Sequence, residues 1–425
     1  MDSPPLIRLA PYADTTNPGG VYILAICYLG PSGTSYPVDP RDCKYDAFKV
    51  KESETEGPFP LTVLKDAEGS FDRIYTWTIK KDADKTIVRL IGGGSATFTY
   101  TVSVTHDDPG EDSNWLVSGT ITVFNPNPDD VTGVDVTDSV DNGGACTVTN
   151  GTNATIPALD SSIFSYSCSY GSAPGNGTNT GTATWPAQTL TAGDLADGSA
   201  NWIVPFTFPT DPTYVTDECV SVTDSHAGNL GTACVGDANP KTFTYSRTIS
   251  APIVGTCVPY DNTATFTTND TGVQGSDSET VTVCNYNAAL TPGYWKNHLN
   301  LDNKHPNDAY TAKFLPKSLG GYVVDTTAKV TAVFNAMNCN NTGSNAQLNQ
   351  NAIGCLAGHL LAAKLNLANK SDPCISSTVA AADAFLSGIP YTGPSGNYTG
   401  IGIVKRNQAI SLKNALDKYN NGGGC

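Results

Sequence analysis

The chain has 425 residues, of which 15% are charged, and its 40 acidic against 24 basic residues give a formal net charge of −16. This length suits about three domains, and the acidic balance argues against a nucleic-acid-binding protein, because phosphate recognition needs clustered Lys and Arg. The charges are also unevenly placed, since residues 1–287 carry 13 basic and 34 acidic side chains whereas residues 288–425 carry 11 and 6. Such a split fits either a solvated acidic surface or attraction between the body of one molecule and the tail of the next.

Residues 1–57 predict an N-terminal arm followed by a β-hairpin. Val21–Tyr28 is a strongly apolar strand, Ala47–Lys51 is a second candidate, and the arm Ser3–Gly20 precedes them. Two strands cannot easily bury their own faces, so this segment is expected to pack on the next domain or on another subunit. The short apolar run lacks the basic flank of a signal peptide, and no segment approaches the roughly 20 apolar residues of a membrane span.

The middle of the chain contains one β-rich block written twice at a period of roughly 85 residues, which is about one β-sandwich domain. Alternating β-branched and aromatic residues predict a first β-sandwich over residues 58–193 and a second over residues 194–287. Segments that recur in the same order are Val136–Ser139 as Val222–Ser225, Phe164–Ser167 as Phe243–Ser246, and Asn179–Thr184 as Asn262–Thr267.

After Leu290 the sequence becomes rich in Ala, Leu and Asn, and residues 288–425 predict an α-helical C-terminal domain. Apolar residues at helical spacing indicate helices over 345–369, 378–386 and 406–419. The fold class predicted from the residues is therefore mainly β, with tandem β-sandwiches followed by a small helical domain.

Twelve cysteines and the absence of C-x-x-C spacing favour disulfides over a zinc site, and so an oxidising compartment. Matched spacing in the two copies of the block suggests Cys146–Cys168 and Cys234–Cys257. Cys219–Cys284 would tie the first and last strands of the second copy, and the remaining pairs would be local. The predicted pairs are Cys27–Cys43, Cys146–Cys168, Cys219–Cys284, Cys234–Cys257, Cys339–Cys355 and Cys374–Cys425. Sequons compatible with glycosylation in that compartment occur at Asn150, Asn153, Asn176, Asn269, Asn340, Asn369 and Asn397.

Three segments carry a family resemblance. Arg73–Lys81 and Ser113–Pro126 resemble repeat units of large secreted prokaryotic surface proteins, and Thr291–His298 resembles a TPGYWKNH motif that precedes a helical module at the end of many such chains. The resemblance covers residues 60–425. It implies Ig-like or prealbumin-like sandwiches and an extracellular, non-catalytic role, without identifying a ligand.

Several residues are candidates for chemistry, each with a simpler interpretation. The acidic loop Asp107–Asp112 and the Asp129, Asp130 and Asp135 carboxylates could collect Ca²⁺, but without an EF-hand pattern they are better read as solvated turns. His298 and His305, with nearby aspartates, fit no established zinc spacing. Lys65 and Lys80 lie in apparent strands and could form the Lys–Asn cross-links that some surface sandwiches use, although a solvated strand lysine is the simpler reading.

No nucleophile elbow, P-loop or dinucleotide motif occurs after a predicted strand, so an enzyme and a resident cofactor are not expected. The sequence predicts an extracellular structural protein that forms a homopolymer, as a filament or surface layer, through strand addition and head-to-tail contacts between acidic and basic parts. The alternative is an adhesin or carbohydrate-binding protein that recognises surface glycans. Tyr294 and Trp295 are the candidate assembly residues; they could also stack on a sugar or plug the tail onto the sandwich.

Overall fold

The computed structural model describes residues 21–27, 43–49, 57–299 and 309–425, which form a mainly β protein with a helical C-terminal region. The first strands are β1 (Val21–Cys27), β2 (Cys43–Lys49), β3 (Thr62–Lys65), β4 (Glu68–Ile74), β5 (Trp77–Ala83), β6 (Ile87–Ile91), β7 (Ser95–His106) and β8 (Glu111–Phe124). The next are β9 (Val131–Val140), β10 (Ala145–Val148), β11 (Ala154–Ile156), β12 (Ser161–Ser169), β13 (Gly177–Trp185), β14 (Gln188–Leu190), β15 (Gly193–Leu195), β16 (Gly198–Phe206) and β17 (Tyr214–Thr216). The last are β18 (Cys219–Asp224), β19 (Gly228–Cys234), β20 (Lys241–Ser250), β21 (Thr256–Thr268), β22 (Gln274–Tyr286), β23 (Lys317–Leu319) and β24 (Tyr322–Val324).

The described residues divide into two compact units. Unit 1 contains those of Met1–Ile74 and Gly110–Thr216, and unit 2 contains those of Tyr75–Pro109 and Asp217–Cys425. Within unit 1, β1 and β2 form a two-stranded antiparallel sheet whose register runs from Val21 opposite Lys49 to Cys27 opposite Cys43. The predicted hairpin is confirmed, whereas the arm Ser3–Gly20 lies outside the described residues.

Unit 1 is β-sandwich-like, with apolar residues of two sheets sharing one core. One sheet has the strand order β10-β12-β8-β4-β17, with β3 also paired to β8, and the other has the order β11-β9-β13-β16. Val117 and Ile121 of β8 and Val134 and Val136 of β9 belong to the same buried cluster. These residues alternate with neighbours that are half-buried or exposed, as the period-2 pattern of a strand with one buried face requires.

Unit 2 contains a second pair of sheets, ordered β19-β18-β21-β22-β6 and β20-β7-β5. Strand β7 pairs along most of its length with β20, and β6 pairs in parallel with β22. Three strands of this unit therefore come from residues 75–109, ahead of most of unit 1 in the chain.

The predicted boundaries of the sandwiches, 58–193 and 194–287, differ from these units. Residues 75–109 were assigned to the first sandwich but lie in unit 2. Conversely, β16 was assigned to the second sandwich but pairs with β13 in unit 1. Sequence alternation indicates which residues face a core, but it does not indicate which of two similar cores they face.

The helical module, residues 288–425, contains α1 (Pro292–Asn297), α2 (Thr327–Asn335), α3 (Asn345–Ala368), α4 (Ser376–Gly388) and α5 (Gly402–Asn420). Helix α3 begins with a capping box, in which Ser344 and Gln347 satisfy each other's backbone N–H groups. The predicted helices over 345–369, 378–386 and 406–419 correspond to α3, α4 and α5. The module was predicted as a domain of its own, whereas contacts place it in one compact unit with the second pair of sheets. None of the helices in the described part of the chain combines the length and hydrophobicity that a membrane crossing requires.

Disulfides connect neighbouring strands or segments in both units. The predicted pairs Cys146–Cys168, Cys339–Cys355 and Cys374–Cys425 are present. Cys43 is disulfide-bonded and lies opposite Cys27 in the register.

Two predicted pairs, Cys219–Cys284 and Cys234–Cys257, are wrong. The structure pairs Cys219 with Cys234 and Cys257 with Cys284. Each observed pair is directly opposite across two adjacent antiparallel strands, β18–β19 and β21–β22. Direct cross-strand neighbours have the closest Cβ atoms, so hairpin register decides the pairing, and the equivalence between the two copies of the block does not.

Two buried lysine clusters as the candidate functional site

Three strands of unit 1 place a polar side chain at a core-facing position next to apolar ones. In β3, Lys65 follows Val63 at the next inward position, and in β9, Asp138 follows Val136. On β13, Asn179 is fully buried at the start of the inward row. We call Lys65, Asp138, Asn179 and the adjoining Tyr166 the first cluster.

The polar atoms of the first cluster are sealed from solvent but poorly paired. The side chains of Lys65 and Asp138 have 0% exposure, and Lys65 Nζ lies 2.8 Å from Asp138 Oδ1. Despite this short distance, Lys65 Nζ, Asp138 Oδ1 and Asn179 Oδ1 have no hydrogen-bond partner in a favourable direction. An unpaired polar group in a dry core is costly, so this arrangement calls for an explanation.

The walls of the first cluster hold the lysine in place. Lys65 Nζ lies 3.1 Å from the centroid of the Tyr166 ring. A Cβ atom at position 181 would lie only 3.1 Å from Lys65 Cδ, so Gly181 provides the space in which the lysine chain crosses β13. Asp138 Oδ2 lies 3.1 Å from Cys168 Sγ, and a disulfide sulfur carries no hydrogen, so it can accept a hydrogen bond but not donate one.

Burial favours the neutral form of both ionisable groups in the first cluster. It lowers the pKa of Lys65, with Asp138 and Asp66 acting in the opposite direction. Burial also raises the pKa of Asp138, and this effect exceeds the opposing contributions of Lys65 and Asn179. A neutral amine beside a protonated carboxyl group is a nucleophile beside an acid.

Unit 2 contains an equivalent second cluster of Lys81, Asp224, Tyr245 and Asn262. Lys81 follows Trp77 and Ile79 in the inward row of β5, and Asp224 follows Val222 in that of β18. The lysine and aspartate side chains again have 0% exposure and form a direct ion pair. Asn262 is 1% exposed on β21. Asp224, Tyr245 and Asn262 occupy the places in the duplicated block that Asp138, Tyr166 and Asn179 occupy in unit 1.

The second cluster is better hydrogen-bonded than the first. The Tyr245 hydroxyl donates to Asp224 Oδ2 at 2.7 Å and accepts from Lys81 Nζ at 2.7 Å and Asn262 Nδ2 at 2.5 Å. Burial raises the pKa of Asp224, but hydrogen bonds from Lys81, the Ala227 and His226 backbone and Tyr245 outweigh it and lower that pKa overall. Lysine and carboxamide thus meet at one phenol oxygen.

The preferred interpretation of Lys80, a solvated strand lysine, is confirmed. Its side chain is 71% exposed and pairs with Asp82, while the next residue, Lys81, faces the core. The signal that could have distinguished them is the parity of the strand, because Trp77, Ile79 and Lys81 share one face. The same interpretation is wrong for Lys65, because its side chain is fully buried beside Asp138.

The predicted assembly residues of the tail are not both available at the surface. Trp295 is 0% exposed, stacks on Tyr310 and donates from Nε1 to Asn366 Oδ1 at 3.0 Å. It belongs to the core of the helical module, so its proposed role as an assembly contact is wrong. Tyr294 is half-buried and stacks on His298.

The acidic loops considered for Ca²⁺ carry carboxylates that accept backbone hydrogen bonds. Asp107 accepts from Thr76, Asp129 from Thr191 and Asp135 from Asn153, and Asp130 accepts from Ala158.

The described residues include two groupings with metal-ligand atoms close together. They are Cys339, Cys355 and His359, and Asp138, Cys146 and Cys168. Both contain a disulfide, whose sulfurs are not the thiolates that metals need. The predicted grouping around His298 and His305 includes residues outside the described ranges.

Most sequon asparagines are accessible. Asn369 is the exception among the described sequons, because it is 8% exposed and its Oδ1 accepts from the Tyr310 hydroxyl at 2.5 Å. The exposed sequon asparagines are Asn150, Asn153, Asn176, Asn269, Asn340 and Asn397.

A buried histidine gives the helical module a predicted pH dependence. Burial lowers the pKa of His359 to about 4, with Asp417 raising it and Lys413 lowering it. The unfolded histidine, with a pKa of 6.5, therefore binds a proton at pH values where the folded one does not. Stability should be fully present above pH ~6.5 and fall by about 3 kcal/mol as the pH drops towards 4.

Chemical denaturation of the wild-type protein and His359→Gln at pH 7 and at about pH 4 checks this expectation. Because the carboxylates other than Asp417 keep their surroundings in both proteins, the difference between the two pH dependences reports His359 together with its contact to Asp417. We expect the variant to lose less stability on acidification. The same loss in both proteins would contradict the assignment.

Comparisons with known proteins do not identify the chain. No known protein family and no curated protein matches it. A solved structure of native alpha-2-macroglobulin from Escherichia coli, spanning domain MG7 to the C-terminus, aligns with 81% of this chain and 46% of its own at 9% identity. Its TM-score of 0.16 is too low to establish a common fold.

Proposed function

We propose that this chain is an extracellular structural subunit that assembles with copies of itself, by strand addition, into a filament or surface layer. The observation that carries the proposal is the hairpin β1–β2, whose strands pair with each other and with no other described strand. A two-stranded sheet is marginally stable alone in water. Its outer edges also leave backbone N–H and C=O groups to be satisfied by another strand.

Strand β20 is the proposed acceptor for β1 of a second copy. It is the longest strand at a sheet edge among the described residues, and it pairs with β7 on one side only. Its exposed face carries Thr242, Thr244, Ser246 and Thr248. These polar residues are compatible with a strand and do not expose an apolar surface. Addition of the apolar β1 to this edge would extend a three-stranded sheet by main-chain hydrogen bonds.

The donor and acceptor are different segments, so the contact is heterologous and propagates unless the rotation closes a ring. The acidic body and basic tail would add long-range attraction between successive copies. Disulfides in both units support an oxidising location outside the cell. The duplicated block and the surface-protein motifs support assigning the sandwich-like units to the Ig-like or prealbumin-like class.

The proposal is tested by light scattering and negative-stain microscopy of the purified chain over a range of concentration and salt. We expect polymers in the wild type and a monomer in Leu24→Pro, because proline removes a ladder donor from the middle of β1. Ile253→Ser is the matched control, since it removes an apolar side chain that is 78% exposed and lies outside both proposed strands.

A wild type that stays monomeric at every concentration and salt would overturn the proposal. If that monomer is retained on immobilised glycans, the carbohydrate-binding alternative is supported instead. The feature that favours this alternative is a groove of about 390 Å³ in the helical module, lined by amide and basic groups including Asn338, Asn351, Asn407 and Arg406.

A further inference from the structure

The first cluster brings together a complete set of groups for forming an amide bond. It holds an amine on Lys65, a carboxamide on Asn179 and a carboxyl group on Asp138, all buried. Asp138 lies against both of the others: its Oδ1 is 2.8 Å from Lys65 Nζ, its Oδ2 and Asn179 Nδ2 lie 3.1 and 3.6 Å from the same Cys168 Sγ, and Asn179 is among the groups that act on its pKa. A group that contacts both reactants is placed to move a proton between them.

A permanently charged lysine does not fit this environment. An ammonium group has three donors, yet Lys65 Nζ has no well-directed acceptor. Its nearest neighbours are an aromatic face and one carboxylate oxygen. Transfer of a proton from Lys65 to Asp138 leaves an uncharged amine with a free electron pair, and the carboxyl group gains a proton that it can donate.

We propose that Lys65 and Asn179 form an intramolecular amide bond in unit 1, assisted by Asp138, and that Lys81 and Asn262 do so in unit 2, assisted by Asp224. The lysine Nζ attacks the asparagine Cγ, and a new C–N bond forms as the carbonyl oxygen takes up the electron pair. The aspartate carboxyl group accepts a proton from Nζ and supplies one to the departing nitrogen. The old C–N bond breaks and one ammonia leaves, so the reaction needs no oxidant and no external cofactor.

The second cluster supports the same assignment through a different contact. Lys81 Nζ and Asn262 Nδ2 both hydrogen-bond to the Tyr245 hydroxyl, so that the amine and the leaving nitrogen lie at one oxygen atom. Asn262 Oδ1 accepts from Ser225 Oγ at 2.9 Å, which orients the carboxamide. Asp224 touches Lys81 and also accepts from Tyr245. The chain thus repeats lysine, aspartate, aromatic and asparagine at equivalent positions in two cores.

The proposed amide bonds account for the glycine beside Lys65 and for the strands on which the reacting residues lie. Gly181 leaves the space in which the Lys65 side chain lies against β13, the strand that also carries Asn179. Each amide would join a strand of one sheet, β3 or β5, to an interior strand of the other sheet of the same unit, β13 or β21. Such a tie would resist separation of the two sheets even where no disulfide connects them.

Peptide mapping by mass spectrometry tests the proposal on the full chain after reduction and alkylation. We expect one cross-linked peptide pair containing Lys65 and Asn179 and another containing Lys81 and Asn262, each lighter than its unlinked sum by one ammonia, about 17 Da. Recovery of all four residues in linear peptides of the unaltered mass would overturn the proposal. A link at one cluster only would overturn it for the other.

Two variants separate the chemistry from folding. Asp138→Asn is expected to leave Lys65 and Asn179 unlinked while the Lys81–Asn262 link still forms, and formation of the Cys146–Cys168 disulfide reports that unit 1 has folded. Lys80→Met, at the exposed neighbouring lysine, should retain both links. Full linkage in folded Asp138→Asn would overturn the role of Asp138, and loss of a link in Lys80→Met would overturn the assignment of Lys81.

Discussion

Asn179→Ala is expected to lower the free energy of unfolding of unit 1 by about 5 kcal/mol and its melting temperature by about 20 °C. The reason is the proposed amide, which closes a loop of roughly 100 residues and so restricts the unfolded chain. The variant keeps Lys65 and Asp138 but removes the carboxamide that the amine attacks. Thermal and denaturant unfolding under conditions that preserve the disulfides provide the measurement.

The size of the unfolded chain shows whether Asn179→Ala loses the proposed amide bond or only the packing of the Asn179 side chain. In strong denaturant with reductant, the wild type should remain more compact than Asn179→Ala, because an amide survives reduction. Asn176→Ala, at an exposed position just before β13, is the control; it loses only the hydrogen bond from the Phe208 N–H and should change stability by no more than about 1.5 kcal/mol. A loss below about 1 kcal/mol in Asn179→Ala, with no difference in unfolded size, would contradict the expectation.

Asn366→Leu is expected to unfold the helical module or to destabilise it by at least about 4 kcal/mol. Asn366 is fully buried and makes hydrogen bonds with both atoms of its carboxamide. Its Oδ1 accepts from the Leu290 N–H and Trp295 Nε1, and its Nδ2 donates to the Leu290 carbonyl and Asn420 Oδ1. Leucine would leave these partners buried without hydrogen bonds, at about 1–3 kcal/mol each.

Limited proteolysis and thermal unfolding followed by tryptophan fluorescence check this expectation, because Trp295 is buried against Asn366. Asn407→Leu is the matched control, since it makes the same exchange at an exposed position of α5. We expect the control to unfold like the wild type. If the unfolding curve of Asn366→Leu superimposes on that of the wild type, Asn366 does not hold the segment that contains Leu290 and Trp295 onto α3.

The sequence predicted the elements better than their partners. The apolar strand at Val21 and the long helix at Asn345 were found within a residue or two, because their periodicity is strong and their boundaries carry clear signals. The interleaving of the units could not be found this way. Residues 75–109 alternate like those around them, and the choice of partner strand depends on non-local packing.

The sequence could have predicted the individual residues of the two lysine clusters, but not which residues contact one another. Alternation places Lys81 rather than Lys80 on the inward face of β5, given the strand Trp77–Ala83. The recurring Asp and Asn positions were visible in the duplicated block, yet nothing local connects Lys81 with Asp224 across so long a separation. The same limit explains the exchanged disulfide partners of Cys219 and Cys257.

The most direct test of the two proposed amide bonds is the mass of the intact chain after complete reduction and unfolding. We predict that the wild-type mass is lower than the mass calculated from its sequence by two ammonia molecules, about 34 Da. For Asn179→Ala we predict a mass lower than that calculated from the variant's own sequence by one ammonia molecule, about 17 Da. A wild-type mass equal to that of the sequence would contradict the account.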